Sequence, residues 1–433
     1  MYNVKFSRTT HTLVLLTSVV GIVSLATPSE ATNGYWSHGY GTKSKAMAGA
    51  GTALPLDGLD ASSNPAKITF LDDRIDLGLA ILSPERGYSI NESSSYPSLA
   101  PSAGESDNDY FFIPHFAITK KIDADTSLAF SMGGNCGMNT EYSSAIFTFN
   151  TPTPPPAAYA ATSPTSMNFG QGFVGATYSK KIGKHHAFGI TPILAVQFIN
   201  VKGLEPFKAF SVSPDKVSNN GVDYAYGGGV RLGWLSQITD SLSLGASYQS
   251  RLWMTEFDKY EGLFAEEGSF DIPPNLTIGL AYKLTPTLTL ALDYQRIFYE
   301  DIKSVSNSAN IPLEPGILGC DDGLGFGWSD MDVAKIGLQW DYRSDLTFRA
   351  GFSINNAVIH GNDYLFNILA PAVIRKHYTF GMTKKINQNQ EFNFAFMYAP
   401  EESVSGTNLN TGDQTGSIYM EQMEVEMSWS WLY

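Results

Sequence analysis

Residues 277–294 read TIGLAYKLTPTLTLALDY, and their period decides the fold. Ile278, Leu280, Tyr282 and Leu284 alternate with Thr277, Gly279, Ala281 and Lys283. After the turn at Thr285-Pro286 the same beat returns. Leu288, Leu290, Leu292 and Tyr294 alternate with Thr287, Thr289, Ala291 and Asp293. Successive side chains of a strand point to opposite faces, whereas a helix would need apolar residues three and four apart. The stretch is therefore a hairpin with one apolar face. The last residues repeat the pattern, with Met423, Val425, Met427, Trp429, Trp431 and Tyr433 on one face and Glu424, Glu426, Ser428 and Ser430 on the other.

Working outward, candidate strands fall near 74–83, 109–121, 126–135, 167–182, 185–199, 222–237, 241–256, 273–284, 287–302, 329–342, 345–356, 374–386, 390–400 and 419–433. The links between them alternate in length. Short ones are 122–125, 183–184, 238–240, 285–286, 343–344 and 387–389. Long ones are 84–108, 136–166, 200–221, 257–272, 303–328, 357–373 and 401–418. A β-sandwich has no reason to alternate in this way. A transmembrane barrel does, with short periplasmic turns, long outer loops and an even strand number. The expectation is an all-β, 14-stranded antiparallel transmembrane β-barrel over 72–433. Trp253, Phe257, Phe298, Tyr299, Trp340, Tyr342, Trp431 and Tyr433 are expected to form its aromatic girdles.

Composition agrees. Charged residues make up 16% and aromatic residues 13%, with 40 Gly, which is unlike a disordered chain. The formal charge of −14, without any basic run, removes the electrostatic basis for nucleic-acid binding. Lys5 and Arg8 precede the apolar run Leu13–Ala26, and Ser29-Glu30-Ala31 supplies small residues for cleavage before Thr32. Residues 1–31 are thus expected to be a signal peptide that exports the protein, and with the barrel the expected location is the bacterial outer membrane. Residues 32–71 do not alternate and are rich in Gly, Ala and Ser. Too apolar for a free tail, they read as a plug folded inside the lumen; the alternative is a periplasmic extension.

That segment resembles the N-terminal hatch of the FadL/TodX family of outer-membrane channels for long-chain fatty acids and other hydrophobic compounds. The match lies in Asn33-Gly34-Tyr35, in Gly41-x-Lys43-x-x-x-Met47-Ala48-Gly49-Ala50-Gly51, and in DASSNPA from Asp60 to Ala66. Asn64-Pro65-Ala66 is the most specific mark. Further matches are 135–142 (NCGMNTEY), 248–264 (YQSRLWMTEFDKYEGLF), 293–297 (DYQRI) and 346–355 (LTFRAGFSIN). The resemblance implies a barrel plugged by its N-terminus, with passive uptake of hydrophobic small molecules through a lumenal apolar pocket. It also implies sideways discharge into outer-membrane lipid, at an inward kink in the third strand. Gly133, Gly134, Asn135 and Gly137 have the composition for such a kink, since glycines in a strand mark bends or bulges. The other reading of 133–137 is the start of the second long loop. Asn64, Pro65 and Ala66 are also an ordinary turn; the expectation is that this turn sits against the kink and couples the plug to the opening.

Fatty-acid members imply basic lumenal residues for a carboxylate. Here the tenth strand begins GWSDMDVAKIG, with Asp330, Met331 and Asp332 at those positions, and Ser179 stands in the fourth strand beside Lys180. That departure favours neutral cargo, aromatic or aliphatic hydrocarbons, over a fatty-acid anion. Leu263, Phe264 and Phe270 are candidates for a small external capture groove. Cys136 and Cys320 both fall on the outer side, where either a disulfide or two separate buried thiols fits. His185-His186, in a periplasmic turn, and the carboxylate pairs Asp321-Asp322 and Glu401-Glu402 read as solvated groups, so no metal and no cofactor is implied. The Pro-rich run 151–164 reads as an extended loop.

Two rivals come from other classes. A hydrolase would need a nucleophile with a His base, and neither a Gly-x-Ser-x-Gly elbow nor an equivalent accompanies the seven histidines. A general porin for polar solutes would carry dense lumenal charge and no plug, whereas the inward faces read mostly as Gly, Ser, Thr, Asn and Ala. A monomer is expected, since a closed barrel has no edge to cover.

Overall fold

The protein, here a computed structural model, is described over residues 33–150 and 161–433. The signal segment 1–31, its cleavage point and residues 151–160 of the Pro-rich run lie outside the described residues. The wall begins with β1 (Arg74–Ile90), β2 (Phe111–Lys121), β3 (Thr126–Glu141), β4 (Ser166–Ile182) and β5 (His186–Lys202). It continues with β6 (Asp223–Gln237), β7 (Leu242–Gln249), β8 (Asn275–Thr285), β9 (Leu288–Ile297) and β10 (Met331–Arg343). β11 (Leu346–Asn355), β12 (Lys376–Asn387), β13 (Gln390–Thr407) and β14 (Thr415–Leu432) complete it. Each strand pairs antiparallel with its neighbour in sequence, and β14 returns to β1, which closes a fourteen-stranded barrel. Two short pieces, 102–105 and 253–254, add pairs to β1 and β6.

The period-two pattern sorts the faces. Leu77, Leu79, Ile81, Met423 and Met427 are exposed, as side chains directed at lipid must be, while Asp76, Ala80, Glu424, Glu426 and Ser430 are buried. Trp253, Trp340, Tyr342, Trp431 and Tyr433 also face outward. Phe257 and Tyr299, expected in the girdles, are fully buried instead, because the segments that carry them leave the wall after β7 and β9 and fold inward as loops.

Strand ends differ most on the outer side. β1, β3 and β13 run on to Ile90, Glu141 and Thr407, beyond the ends at 83, 135 and 400 read from the alternation. Above the membrane a strand needs no apolar face, so the pattern fades before the pairing does. Pro84 fits inside β1 because at that level the strand is paired on one side, with Gln422 of β14. β7 stops at Gln249, not 256.

Residues 33–71 lie inside the barrel, almost all of them buried. They contain a short helix at Thr42–Lys45 and 3-10 turns at Gly58–Ser62 and Pro65–Phe70. Close approach to the wall depends on small residues. A Cβ at Gly351 of β11 would stand 2.2 Å from the Met47 carbonyl carbon.

Candidate functional site

The inner segment is held by charge and by hydrogen bonds. Lys43 pairs with Glu391 of β13 at 2.6 Å, and Lys45 with Glu424 and Glu426 of β14 at 2.9 and 2.8 Å. Asp293 of β9 accepts from the Gly51 and Thr52 amides at 2.8 and 2.9 Å, and Asp76 of β1 accepts from the Gly58 amide at 2.9 Å. Buried pairs of this kind add little net stability over an apolar contact, but removing one partner is costly, so they fix the pose of the segment. The inward charges were hidden in the sequence by the Gly and Ser around them. They are matched, largely by the segment's own lysines and amides.

Asn64-Pro65-Ala66 serves the same anchoring. The Asn64 amide donates to the carbonyls of Thr52 (2.8 Å) and Trp234 of β6 (2.9 Å), and its oxygen accepts from Ala66 N at 3.1 Å, capping the turn that Pro65 opens. Gly189 of β5 and Gly233 of β6 make the room. A Cβ there would lie 2.4 Å from the Pro65 carbonyl carbon and 2.1 Å from Asn64 Oδ1. The turn therefore sits against β5 and β6, not against the third-strand glycines as expected from the sequence. The geometry of a tight cap needs a glycine-lined bed, which those two strands supply.

At Gly133, Gly134, Asn135 and Gly137 the strand does not end. The β2–β3 ladder runs from Lys121–Ser127 to His115–Gly133 and stops, while β3 stays on β4 up to Glu141–Ser166 with a register shift between Gly134 and Cys136. β2, in its turn, continues on β1 to Phe111–Leu82. The two strands thus part above Gly133. Higher up the seam is rejoined by side chains and a loop: fully buried Arg86 donates to Asn139 O and Oδ1 at 2.9 and 3.1 Å, and the Glu141 amide donates to Ser106 Oγ at 3.0 Å. The β2–β3 pairing is thus interrupted between Gly133 and the Arg86–Asn139 contact. A cavity lies behind this interruption, touching Ile113, His115, Gly133 and Gly134 on the wall side and Tyr40 and Ser62 on the inner side.

A second cavity, almost wholly apolar, lies under the outer loops against Met167, Leu204, Leu263, Phe264, Phe326 and Phe366. Leu263, Phe264 and Phe270, expected to line an external groove, are instead buried; the loop that carries them folds inward over the barrel mouth. Phe264 packs on Phe270 at 5.2 Å, Phe270 on Phe169 at 4.8 Å and on Tyr35 at 6.1 Å. Tyr35 also meets Tyr299 and Trp328 at 5.2 and 5.6 Å. Asn33 and Gly34 place that ring: the Tyr299 hydroxyl donates to Asn33 O at 2.6 Å, and Gly34 holds a φ of 70° where a Cβ would stand 2.4 Å from the same hydroxyl. A smaller cavity joins Gly34 to Gly137 and Met138 of β3.

A third cavity is polar. Arg231 of β6 and Lys335 of β10 border it, with Asn275, Gln295 and His38. The lumenal cation of the tenth strand is thus Lys335. Asp330 and Asp332, whose acidity argued against such a cation, bind Arg296 in a partly exposed cluster beside Tyr294, on the outward face. Ser179 is buried and donates to Ala66 O at 3.3 Å. Cys320 is a free, half-buried thiol whose Sγ donates to Ile317 O at 3.4 Å, so no disulfide joins it to Cys136. Its loop is held by backbone pairing between Leu318 and 210–212, whereas the Cys136 backbone belongs to β3 opposite Gln171. Outside the membrane, burial works against the Glu205 carboxylate, but hydrogen bonds from Ser163, Thr162 and Asn219 outweigh it and hold its pKa below the ordinary carboxylate value.

A closed barrel with an apolar chamber under its loops and its own N-terminal segment in the lumen defines the class of outer-membrane transport barrels. The chain belongs to the family described as outer membrane protein transport protein (OMPP1/FadL/TodX), which it matches over residues 23–429. Among solved structures, the P. putida toluene transporter TodX superposes with a TM-score of 0.67 at 20% identity, covering 92% of this chain and 99% of that one. The Ralstonia pickettii toluene transporter TbuX gives 0.60 at 16% identity, with 92% and 99% coverage. A Pseudomonas aeruginosa FadL homologue gives 0.64 at 14%, with 94% and 99%. At these identities the likeness is one of fold. No curated protein matches the chain.

Proposed function

We propose that the protein is an outer-membrane channel for passive uptake of hydrophobic compounds, taken in under the outer loops and released sideways between β2 and β3. The observation that carries this reading is the succession of apolar chamber, Tyr35 aromatic cluster and interrupted β2–β3 pairing along one line of contacts. A one-ring hydrocarbon burying about 150–250 Å² gains roughly 4–6 kcal/mol on leaving water, enough to enter the chamber without being trapped there. Residues 33–71 act as the hatch that keeps water and polar solutes out. The apolar belt sits in outer-membrane lipid beneath the lipopolysaccharide leaflet, and the barrel works as a monomer.

Toluene-type hydrocarbons suit the nearly all-apolar chamber, and the structural neighbours TodX and TbuX are described as toluene transporters. A second reading has its own support. Arg231 and Lys335 beside the polar cavity would accept the carboxylate of a long-chain fatty acid. The test is uptake of labelled toluene, an alkane and a long-chain fatty acid into proteoliposomes, with planar-bilayer conductance alongside. Saturable hydrocarbon uptake with little current is expected. Large steady currents would instead make it a general porin.

A further inference from the structure

We propose that Tyr40 is the door between the lumenal cavity and the interruption between β2 and β3, latched by Asn135; the proposal rests on the sideways-release reading. Tyr40 borders both the polar cavity and the cavity behind the interruption, so its half-buried ring is part of the partition between them. Contacts with Asn135 and Arg231 hold the ring across the passage. Its hydroxyl donates to Asn135 Oδ1 at 2.5 Å, and the Arg231 guanidinium lies over its face, 5.8 Å from the centroid. Asn135 is the residue that the register shift between β3 and β4 skips in the backbone ladder, and its side-chain amide donates to Gln171 Oε1 of β4 at 2.8 Å. The latch is therefore made by the irregularity that parts β2 from β3.

The way the segment is attached changes at that place. Gly41, next in the chain, holds a φ of 82°, and a Cβ there would stand 2.8 Å from both Asp57 Oδ1 and Leu59 Cβ. Beyond it, Lys43 and Lys45 are tied to β13 and β14 by buried ion pairs. Residues 33–40 are held by aromatic contacts, by hydrogen bonds and by the Arg231 contact with Tyr40, and a passing apolar solute can replace the aromatic contacts with its own. Moving Tyr40 aside joins the two cavities into one passage ending at Gly133–Gly134, with residues 42–71 still in place.

The test uses the full-length protein in proteoliposomes. Tyr40→Phe keeps the ring and its contact with Arg231 but removes the latch hydroxyl; Asn135→Ala removes the acceptor. Each is expected to speed toluene uptake about fivefold, the scale of one hydrogen bond, and the double variant no more than either alone, because both cut the same bond. Tyr40→Trp is expected to slow a two-ring aromatic more than toluene. Unchanged rates in both single variants, or additive effects, overturn the proposal. If the wild type carries no hydrophobic compound, the channel reading fails, and the latch is read without cargo. Amide exchange at 36–40 is expected to quicken in Tyr40→Phe and Asn135→Ala while 42–54 stays as in the wild type. No change, or equal change in both stretches, overturns the door.

Discussion

Two seams of this barrel differ in a way that separates scaffold from device. Where the first and last strands meet, pairing runs without a shift from Arg74–Leu432 to Ile90–Gly416. Where β2 meets β3, it ends at His115–Gly133, although both strands go on. The seam that joins the chain's ends is the long unbroken one. The broken seam lies between neighbours joined by a four-residue turn. Entropy would favour pairing two strands so close in sequence, so something local must prevent it. Gly134 and Gly137 approach their surroundings closely: a Cβ at Gly134 would lie 2.8 Å from Ile113 Cγ2, and one at Gly137 1.9 Å from Phe169 O. Beyond Gly133, β3 keeps its pairing with β4 through a register shift while its pairing with β2 ends.

The largest effect should come from filling one of those close approaches. Gly137→Val drives a β-branched side chain into the β4 backbone, which no rotamer relieves. A loss of at least about 4 kcal/mol is expected, seen as failed heat-modifiable migration of the barrel or a much lower melting temperature. A melting curve like that of the wild type would mean that β3 can keep its course without glycine.

Deleting Asn135 comes next. Taking out the one residue that the register shift skips lets β3 run regularly beside β4 and brings its upper half back towards β2. The barrel should fold, and uptake should fall at least about tenfold if release is limiting, where one barrier change of 1.4 kcal/mol is already tenfold. Removing the residue and removing only its side chain thus act in opposite directions, and equal effects would sink the distinction. A smaller change is expected from Arg86→Met, which frees the upper border of the interruption. Two charge-assisted hydrogen bonds to Asn139 are lost, costing about 2–3 kcal/mol locally, and amide exchange at 137–141 should quicken while the β1–β14 seam stays protected.

The smallest effect lies in the loops, away from both seams. Glu205 has a folded pKa below its unfolded value, so its contribution is present above the ordinary carboxylate pKa and is lost as pH falls through the lowered value. Exchange at 162–163 and 219 should rise only in that acid range, and Glu205→Gln should abolish the dependence.

Much of the wall was readable because alternation is local: each inward or outward direction follows from the residue two places away. Leu79 and Glu426 could be assigned to lipid and lumen without knowing any partner. The hatch motif was readable for a similar reason, since Asn64 caps a turn begun at Pro65. Less of the site was legible. Gly133–Gly137 fitted either a bulge or the start of a loop, and the choice depended on β4. Leu263 and Phe264 carried no sign of whether their loop folds outward or in. Nothing near Tyr40 in the chain announces Asn135, ninety-five residues away, and Lys45 and Glu424 are separated by 379.

Strand number, closure and the presence of an inner segment were thus written in the order of residues, because backbone geometry imposes a period of two and lipid tolerates only an apolar outer face. The break in the β2–β3 pairing, the bed of the Asn-Pro-Ala turn and the chamber under the loops came with folding. Each depends on which surfaces meet when a cylinder closes, and pairwise contact across that distance leaves no periodic trace in the chain.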